Sequence, residues 1–225
     1  MNHKIITTGD GSKTIFLPEV NEYYHSKHGA IQESIHVFIN AGFNHFIEKK
    51  SLDKISILEV GFGTGLNAYL TMLEAERLNV KVDYVGIEAF PLGLDQIQSL
   101  DYPRALENNS KPSLFYELHE SSWEAKHELT EEFTLTKQKQ DIKGLEEIES
   151  FDLVYFDAFG PRVQPELWTL DIFKKMYRAL KAKGVLVTYS AKGSVRRAMQ
   201  DATFSVERLP GPPGKREMLR ATVTI

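Results

Sequence analysis

Apolar positions change period several times along the chain, and the changes mark out its elements. Lys4–Thr8 and Thr14–Leu17 are short β-type runs around the turn residues Gly9-Asp10-Gly11-Ser12, so they predict a hairpin ending at Pro18. Tyr23–Ala30 is too polar and aromatic for a core element and reads as a structured loop. Ile31, Ile35, Phe38, Ile39 and Phe43 recur at helical spacing and predict an amphipathic α-helix. Ile55–Val60 is a continuous apolar run, the pattern of a strand buried on both faces. Glycines follow at 61, 63 and 65, then a helical stretch from Leu66 to Leu78, with Thr64 or Asn67 placed to cap it.

Val82–Glu88 predicts a second strand and 91–100 a helix, while 101–128 reads as irregular, anchored by Tyr102-Pro103 and Trp123. Phe133–Gln138 predicts a third strand, Gly144–Glu149 a short helix and Phe151–Asp157 a central strand. A helix over Trp168–Leu180 is entered through Pro165-Glu166 and stopped by Gly184. Val185–Ser190 is then a strand, Gly193 opens a helix, and Phe204–Leu209 and Met218–Ile225 form a closing hairpin around Pro210–Arg216. Strands alternating with helices predict an α/β fold with a mostly parallel, doubly wound sheet. Residues 51–225 are expected to be that domain and residues 1–50 a β/helical extension packed on it.

Composition narrows the class. The chain has 225 residues, 42% of them hydrophobic, which suits one core-bearing domain. No apolar run approaches the ~20 residues of a membrane span, and Met1–Lys4 lacks the apolar region of a signal peptide. Cysteine is absent, which excludes disulfides and thiolate metal sites. A cytoplasmic protein with no membrane partner and no metal is the expectation. The net charge of −4 hides an asymmetry: residues 171–225 carry +8 and residues 1–170 carry −12. Such a basic end suits an anionic partner, although exposed helices also collect lysines.

The candidate chemistry lies at strand ends. The glycines follow Glu59 as Glu-x-Gly-x-Gly-x-Gly, whereas a dinucleotide fingerprint needs Gly-x-Gly-x-x-Gly, and position 66 is Leu. That spacing disfavours a nicotinamide oxidoreductase, and no phosphate-cradling Gly-x-x-x-x-Gly-Lys-Ser/Thr occurs. Glu88 lies 23 residues past Gly65 at a strand tip, where an acid suits ribose hydroxyls. Asp157 ends the central strand, where open α/β sheets bind ligands, and Phe159 and Pro161 follow at the turn. His25, His28 and His36 read equally as surface or packing residues.

The acid-x-Gly-x-Gly-x-Gly pattern resembles motif I of class I S-adenosylmethionine-dependent methyltransferases. Glu59 then suits the cofactor's amine, the backbone N–H groups at Gly61, Gly63 and Gly65 its carboxylate, Glu88 its ribose and Asp141 its adenine, and Asn67 is also expected to bind the cofactor. More of the chain resembles the methyltransferase domain of the MnmC family, bifunctional enzymes of tRNA wobble-uridine modification. The resemblance rests on Tyr23–Glu33, Val60–Asn67, Asp157-Ala158-Phe159-Gly160-Pro161, Pro165–Thr169, Ser194–Arg197 and Gly214–Leu219.

It implies a seven-stranded Rossmann-like fold and methylation of the 5-aminomethyl group of tRNA uridine 34. Asp157 would contact cofactor and amine and act catalytically. Phe159 and Pro161 would shape the acceptor pocket, and Arg196, Arg197, Lys215 and Arg216 would meet phosphates of the anticodon stem-loop. Family members carry a second, FAD-dependent oxidase domain. This chain is expected to be the methyltransferase part alone, without FAD, and to need a separate enzyme that supplies the aminomethyl uridine. The alternatives are a small-molecule amine methyltransferase and a non-catalytic tRNA-binding module.

Overall fold

The strand β4 (Lys54–Val60) lies at the centre of the main sheet, paired in parallel with β5 (Lys81–Ile87) on one side and β8 (Phe151–Phe156) on the other. The computed structural model describes residues 3–48, 53–106 and 110–224. The expected boundary between residues 50 and 51 lies outside them, as does Ile225. β7 (Phe133–Gln138) pairs in parallel with β5, and β9 (Leu180–Thr188) with β8. Three antiparallel additions complete an eight-stranded sheet: β6 (Lys126–Glu128) beside β7, β11 (Glu217–Thr222) beside β9, and β10 (Ser205–Pro210) outermost. The sheet is therefore mostly parallel and doubly wound, with one strand more than expected. That extra strand is β6, a three-residue edge too short to show a period-two pattern.

Alternation along the central strands sends side chains to two cores. Ile57, Leu153, Tyr155 and Val187 join one cluster, and Leu58, Val154, Phe156 and Leu186 the other. The first is covered by α3 (Leu66–Leu78) and the N-terminal helix, the second by α7 (Leu170–Ala179) and α8 (Gly193–Asp201). Thr169 caps α7 by accepting from the Ile172 N–H, so the helix starts two residues later than its pattern suggests. Trp168 instead packs edge-on against Phe156. Gly184 falls inside β9, where the β8 register shifts, so it does not stop a helix.

The N-terminal residues form a separate small sheet, β1 (Lys4–Thr7), β2 (Lys13–Leu17) and β3 (Glu22–Tyr23). Its first turn caps the next helix from outside: Asp10 Oδ2 accepts the Gln32 N–H, and Ser12 Oγ accepts that of Ala30. The helix runs unbroken through α1 (Ala30–Ser34), a π-helical stretch (Ile35–Asn44) and α2 (His45–Glu48). The expected α-helix is thus π-helical over most of its length. The buried pairs Val37–Gly42 and Phe38–Phe43 stand five residues apart, the spacing of i→i+5 hydrogen bonds. Gly42 lets this helix lie on the sheet, since a Cβ there would sit 3.0 Å from Val187 and 3.2 Å from Tyr155.

Two further expectations are corrected. The described residues of 101–128 are structured, with α5 (Tyr102–Ala105), α6 (Pro112–Glu120) and β6 following α4 (Leu94–Leu100). Pro103 and Pro112 occupy first turns, where a missing N–H costs nothing. No helix forms over 144–149. A single 3₁₀ turn, Ile142–Gly144, is capped by Asp141, and the chain then extends to bury Leu145. Among the described residues, no helix is long and apolar enough to cross a membrane.

Gly42→Val should force the π-helical stretch off β8 and β9. Overpacking of this kind costs about 1–3 kcal/mol. Thermal denaturation should show a lower Tm, and an unchanged Tm would refute the close-packing account.

Candidate active site

The strand order reverses between β4 and β8, so a crevice opens at their carboxyl ends. The Asp157 N–H donates to the Val60 carbonyl at 2.9 Å, which ties the two strand tips together. Gly61 (φ +89°) turns the chain away at once, and a Cβ there would lie 2.7 Å from the Asp157 carbonyl oxygen. Gly63 (φ +48°) and Gly65 (φ +69°) continue the left-handed turn, with Gly65 against the His119 ring of α6. Helix α3 therefore starts at Leu66 without a side-chain cap, and neither Thr64 nor Asn67 serves that role.

Asn67 is used otherwise. Its Nδ2 donates to Glu59 Oε1 and to Asp157 Oδ2, both at 2.8 Å. The Tyr84 hydroxyl donates to Glu59 Oε2, also at 2.8 Å. Burial, then the charge of Asp157, pushes the Glu59 carboxyl well above the ordinary range. Burial, then the charge of Glu33, does the same to Asp157, while Asn67 and Lys215 oppose the shift. One amide thus holds both carboxylates, and the charge of Asp157 disfavours ionisation of Glu59.

A cavity of about 1040 Å³ spreads over these strand ends. Gly61, Gly63, Asn67, Glu88, Asp141, Asp157, Phe159 and Lys215 line it. Glu59 and Gly65 do not: Glu59 stands behind Asn67 with both oxygens engaged, and Gly65 is buried beneath the turn. Glu88 accepts the Gly63 N–H at 3.0 Å and the Phe90 N–H at 2.9 Å. Asp141 is exposed at the far end, where it caps the 3₁₀ turn and lies 3.9 Å from Lys143. The Phe159 ring meets Tyr24 edge-on, and its carbonyl accepts the Trp168 indole N–H at 2.8 Å.

Pro161 and Arg216 line an adjoining hollow of about 520 Å³ that shares Glu22, Tyr189 and Lys215 with the first. Arg162 and Lys192 border it too. Arg196 and Arg197 line neither cavity and sit one turn along α8 from Lys192. Lys215 reaches inward, with its Nζ on Glu33 and 3.8 Å above the Tyr189 ring.

The N-terminal segment adds Tyr24, His25 and Glu33 to the wall; they fall in the Tyr23–Glu33 stretch that carries the family resemblance, but none was expected in the site. His25 is buried among Thr14, Thr64 and Tyr102, and burial above all lowers its pKa to about 4, so it is neutral and packs. His36 bonds to the Pro210 carbonyl, and His28 packs on Gly214. The burial of Glu33 gives no local signal, because the loop that covers it lies 182 positions away.

These walls suit S-adenosyl-L-methionine better than a phosphate-bearing ligand. Three carboxylates at strand ends repel phosphate but accept hydrogen bonds from hydroxyls and amines. Asn67 Oδ1 is buried without a partner on the lining side chain, an acceptor left over for a donor. Ile87, Ile142 and Ala158 offer an apolar face. Fold and site together define a methyltransferase of the doubly wound, S-adenosyl-L-methionine-dependent class. The chain belongs to the S-adenosyl-L-methionine-dependent methyltransferase family whose model matches residues 112–224.

Its relatives are more specific. It is 28% identical to the tRNA 5-methylaminomethyl-2-thiouridine biosynthesis bifunctional protein MnmC of Nitrosospira multiformis, over 92% of this chain and 35% of that protein. It is 30% identical to MnmC of Hydrogenovibrio crunogenus, over 88% of this chain and 31% of the relative. The chain therefore spans about a third of the length of these relatives. The crystal structure of MnmC2 from Aquifex aeolicus superposes with a TM-score of 0.76 at 27% identity, covering 99% of this chain and 70% of that one.

The raised pKa of Asp157 has a consequence for stability. A carboxyl whose folded pKa exceeds its unfolded value favours folding when protonated, and that contribution is lost as pH rises through the folded pKa. Asp157→Asn removes the loss. The variant should melt above the wild type at pH 8, and the gain should vanish at a pH low enough for wild-type Asp157 to carry its own proton. Equal Tm values at pH 8 would contradict the burial assignment.

Proposed function

We propose that the chain methylates the primary amine of 5-aminomethyluridine at the wobble position of tRNA, giving 5-methylaminomethyl-(2-thio)uridine. The observation that carries this reading is the position of Asp157. It is a carboxylate of raised proton affinity at the tip of β8, facing the cavity beside the glycine turn. The names of the MnmC relatives supply the acceptor.

When bound, S-adenosyl-L-methionine supplies a methyl carbon activated by a positively charged sulfur. Gly61, Gly63 and Asn67 would hold its amino-acid end, and Glu88 and Asp141 its ribose and adenine. Glu59 acts from behind by holding the Asn67 amide. An alkylammonium has a pKa near ~10 and no free lone pair. Asp157 therefore accepts a proton from the arriving ammonium: the N–H bond breaks, an O–H bond forms, and the nitrogen pair is freed. That pair would then be free to take the methyl carbon, the N–C bond forming as the donor's C–S bond gives its electrons to sulfur. The product leaves as a methylammonium, and Asp157 returns its proton to water. Raised proton affinity suits this role, because a base works best when its pKa nears the working pH.

Phe159 and Pro161 shape the wall on the acceptor side. Lys192, Arg196, Arg197 and Arg216 extend away from the hollow as a basic track for the anticodon stem-loop.

The test is transfer of labelled methyl to tRNA carrying 5-aminomethyluridine, read by nucleoside analysis. Asp157→Asn should lower turnover about 10²-fold or more with unchanged cofactor affinity. Labelled product confined to small amines would overturn the tRNA reading. Arg196→Ala with Arg197→Ala should weaken tRNA binding and flatten its salt dependence by about one charge per lost phosphate contact. An unchanged salt slope would remove both residues from the track.

A further inference from the structure

The acceptor side of the cavity already holds a primary ammonium, that of Lys215. Its Nζ contacts Glu33 Oε1 and lies 3.8 Å from the centroid of the Tyr189 ring. Glu33 is buried, its side chain only 7% exposed, and its second oxygen accepts the Ser26 N–H at 2.7 Å. The Tyr189 ring is fixed in turn by its hydroxyl, which donates to the Ala158 carbonyl at 2.8 Å, one residue past Asp157. A carboxylate together with an aromatic face is a general recipe for binding an alkylammonium.

The end of a lysine side chain, CH₂–NH₃⁺, is the same chemical group as a protonated aminomethyl substituent. We propose that Glu33 and the ring of Tyr189 form the seat for the acceptor's alkylammonium group, and that Lys215 fills this seat until the acceptor displaces it. The proposal rests on the amine-methyltransferase reading above and adds the means by which the amine is chosen.

Three features support an exchangeable occupant. The backbone of the Lys215 loop is secured without the side chain. The Gly211 N–H donates to the Arg216 carbonyl, the Lys215 N–H to that of Pro212, and His36 bonds to that of Pro210. Lys215 can therefore leave while its loop stays. Second, a buried carboxylate without a cation is costly. Exchanging one ammonium for another keeps Glu33 paired throughout, whereas a hydroxymethyl or carboxymethyl group in the same place would leave it unpaired or repel it. Third, the seat adjoins the base, since Glu33 and Lys215 both act on Asp157 electrostatically. An ammonium handed from Glu33 towards Asp157 moves within one cavity. Glu33 and Tyr189 are accordingly positioning and specificity residues.

Lys215→Ala removes three methylenes and the ammonium, and n-propylammonium replaces those atoms. The variant should melt below the wild type and recover with millimolar n-propylammonium but not with n-propanol. Adding Glu33→Gln should abolish that recovery. In steady-state kinetics, n-propylammonium should raise the KM of Lys215→Ala for the tRNA acceptor at least tenfold, leave kcat unchanged, and not compete with the cofactor. With labelled cofactor and no tRNA, Lys215→Ala should form N-methylpropylamine, and the double variant should not.

Failure of n-propylammonium to restore the melt would overturn the seat. So would restoration accompanied by neither competition with the acceptor nor methylation of propylamine, which would make Lys215–Glu33 a structural tie. Methylated propylamine alongside inert tRNA would leave the seat standing and overturn the tRNA reading alone.

Discussion

The amide of Asn67, shared between Glu59 and Asp157, is the contact on which the rest of the site depends. A buried carboxylate and a half-buried one would separate or protonate if left facing one another, since each loses hydration that nothing else replaces. One NH₂ group has two hydrogens, and here each is spent on one acid. For this to happen, β4 and β8 must be parallel neighbours, with their tips in register and α3 beginning directly after Gly65. The left-handed glycines meet that demand, and the Val60–Asp157 backbone bond fixes the register.

From that contact the cavity divides by chemistry. On one side, towards Glu88 and Asp141, the wall is built by strand ends of the common α/β frame. On the other, towards Glu33, Tyr189 and Lys215, it is built by the N-terminal helix and the β10–β11 connection. The first side is rigid because its carboxylates are held by backbone N–H groups. The second is held between distant segments by the Lys215–Glu33 pair, the contact of Lys215 with the Tyr189 ring, the His36–Pro210 bond and the packing of His28 on Gly214. α5 and α6 support the cofactor side from below, since Tyr102 donates to Thr64 and His119 packs on Gly65. Lys137 in turn caps the carboxyl end of α6, donating to the carbonyls of Leu118 and His119.

What could be read from the sequence followed from how local its cause is. Ile55–Val60 is buried on both faces, so its apolar run announced a central parallel strand, and the glycines followed within the same few residues. Asp157 was visible because it ends an apolar run. Glu33 was not, because the surface that buries it comes from the Lys215 loop. The π-helical stretch was read as α because its anchors, Phe38, Ile39 and Phe43, fit both periods. α5 and α6 were hidden by polar composition, since only Tyr102, Pro103, Phe115 and Leu118 of their residues are buried. Arg196 and Arg197 were grouped with Lys215 by charge, yet the fold places them outside the cavity that Lys215 enters.

The Lys215–Glu33 pair also has a temporal meaning. It joins residues 182 positions apart, so closing it requires ordering nearly the whole chain between them, and contacts of such long sequence separation slow folding. During synthesis the glycine turn and β8 emerge long before the loop that bears Lys215. The half of the cavity built around S-adenosyl-L-methionine can therefore take shape on the ribosome while the acceptor half is still missing. A chain halted before the Lys215 loop would leave Glu33 uncovered, so the pairing of its carboxylate waits for nearly the last residues to be made.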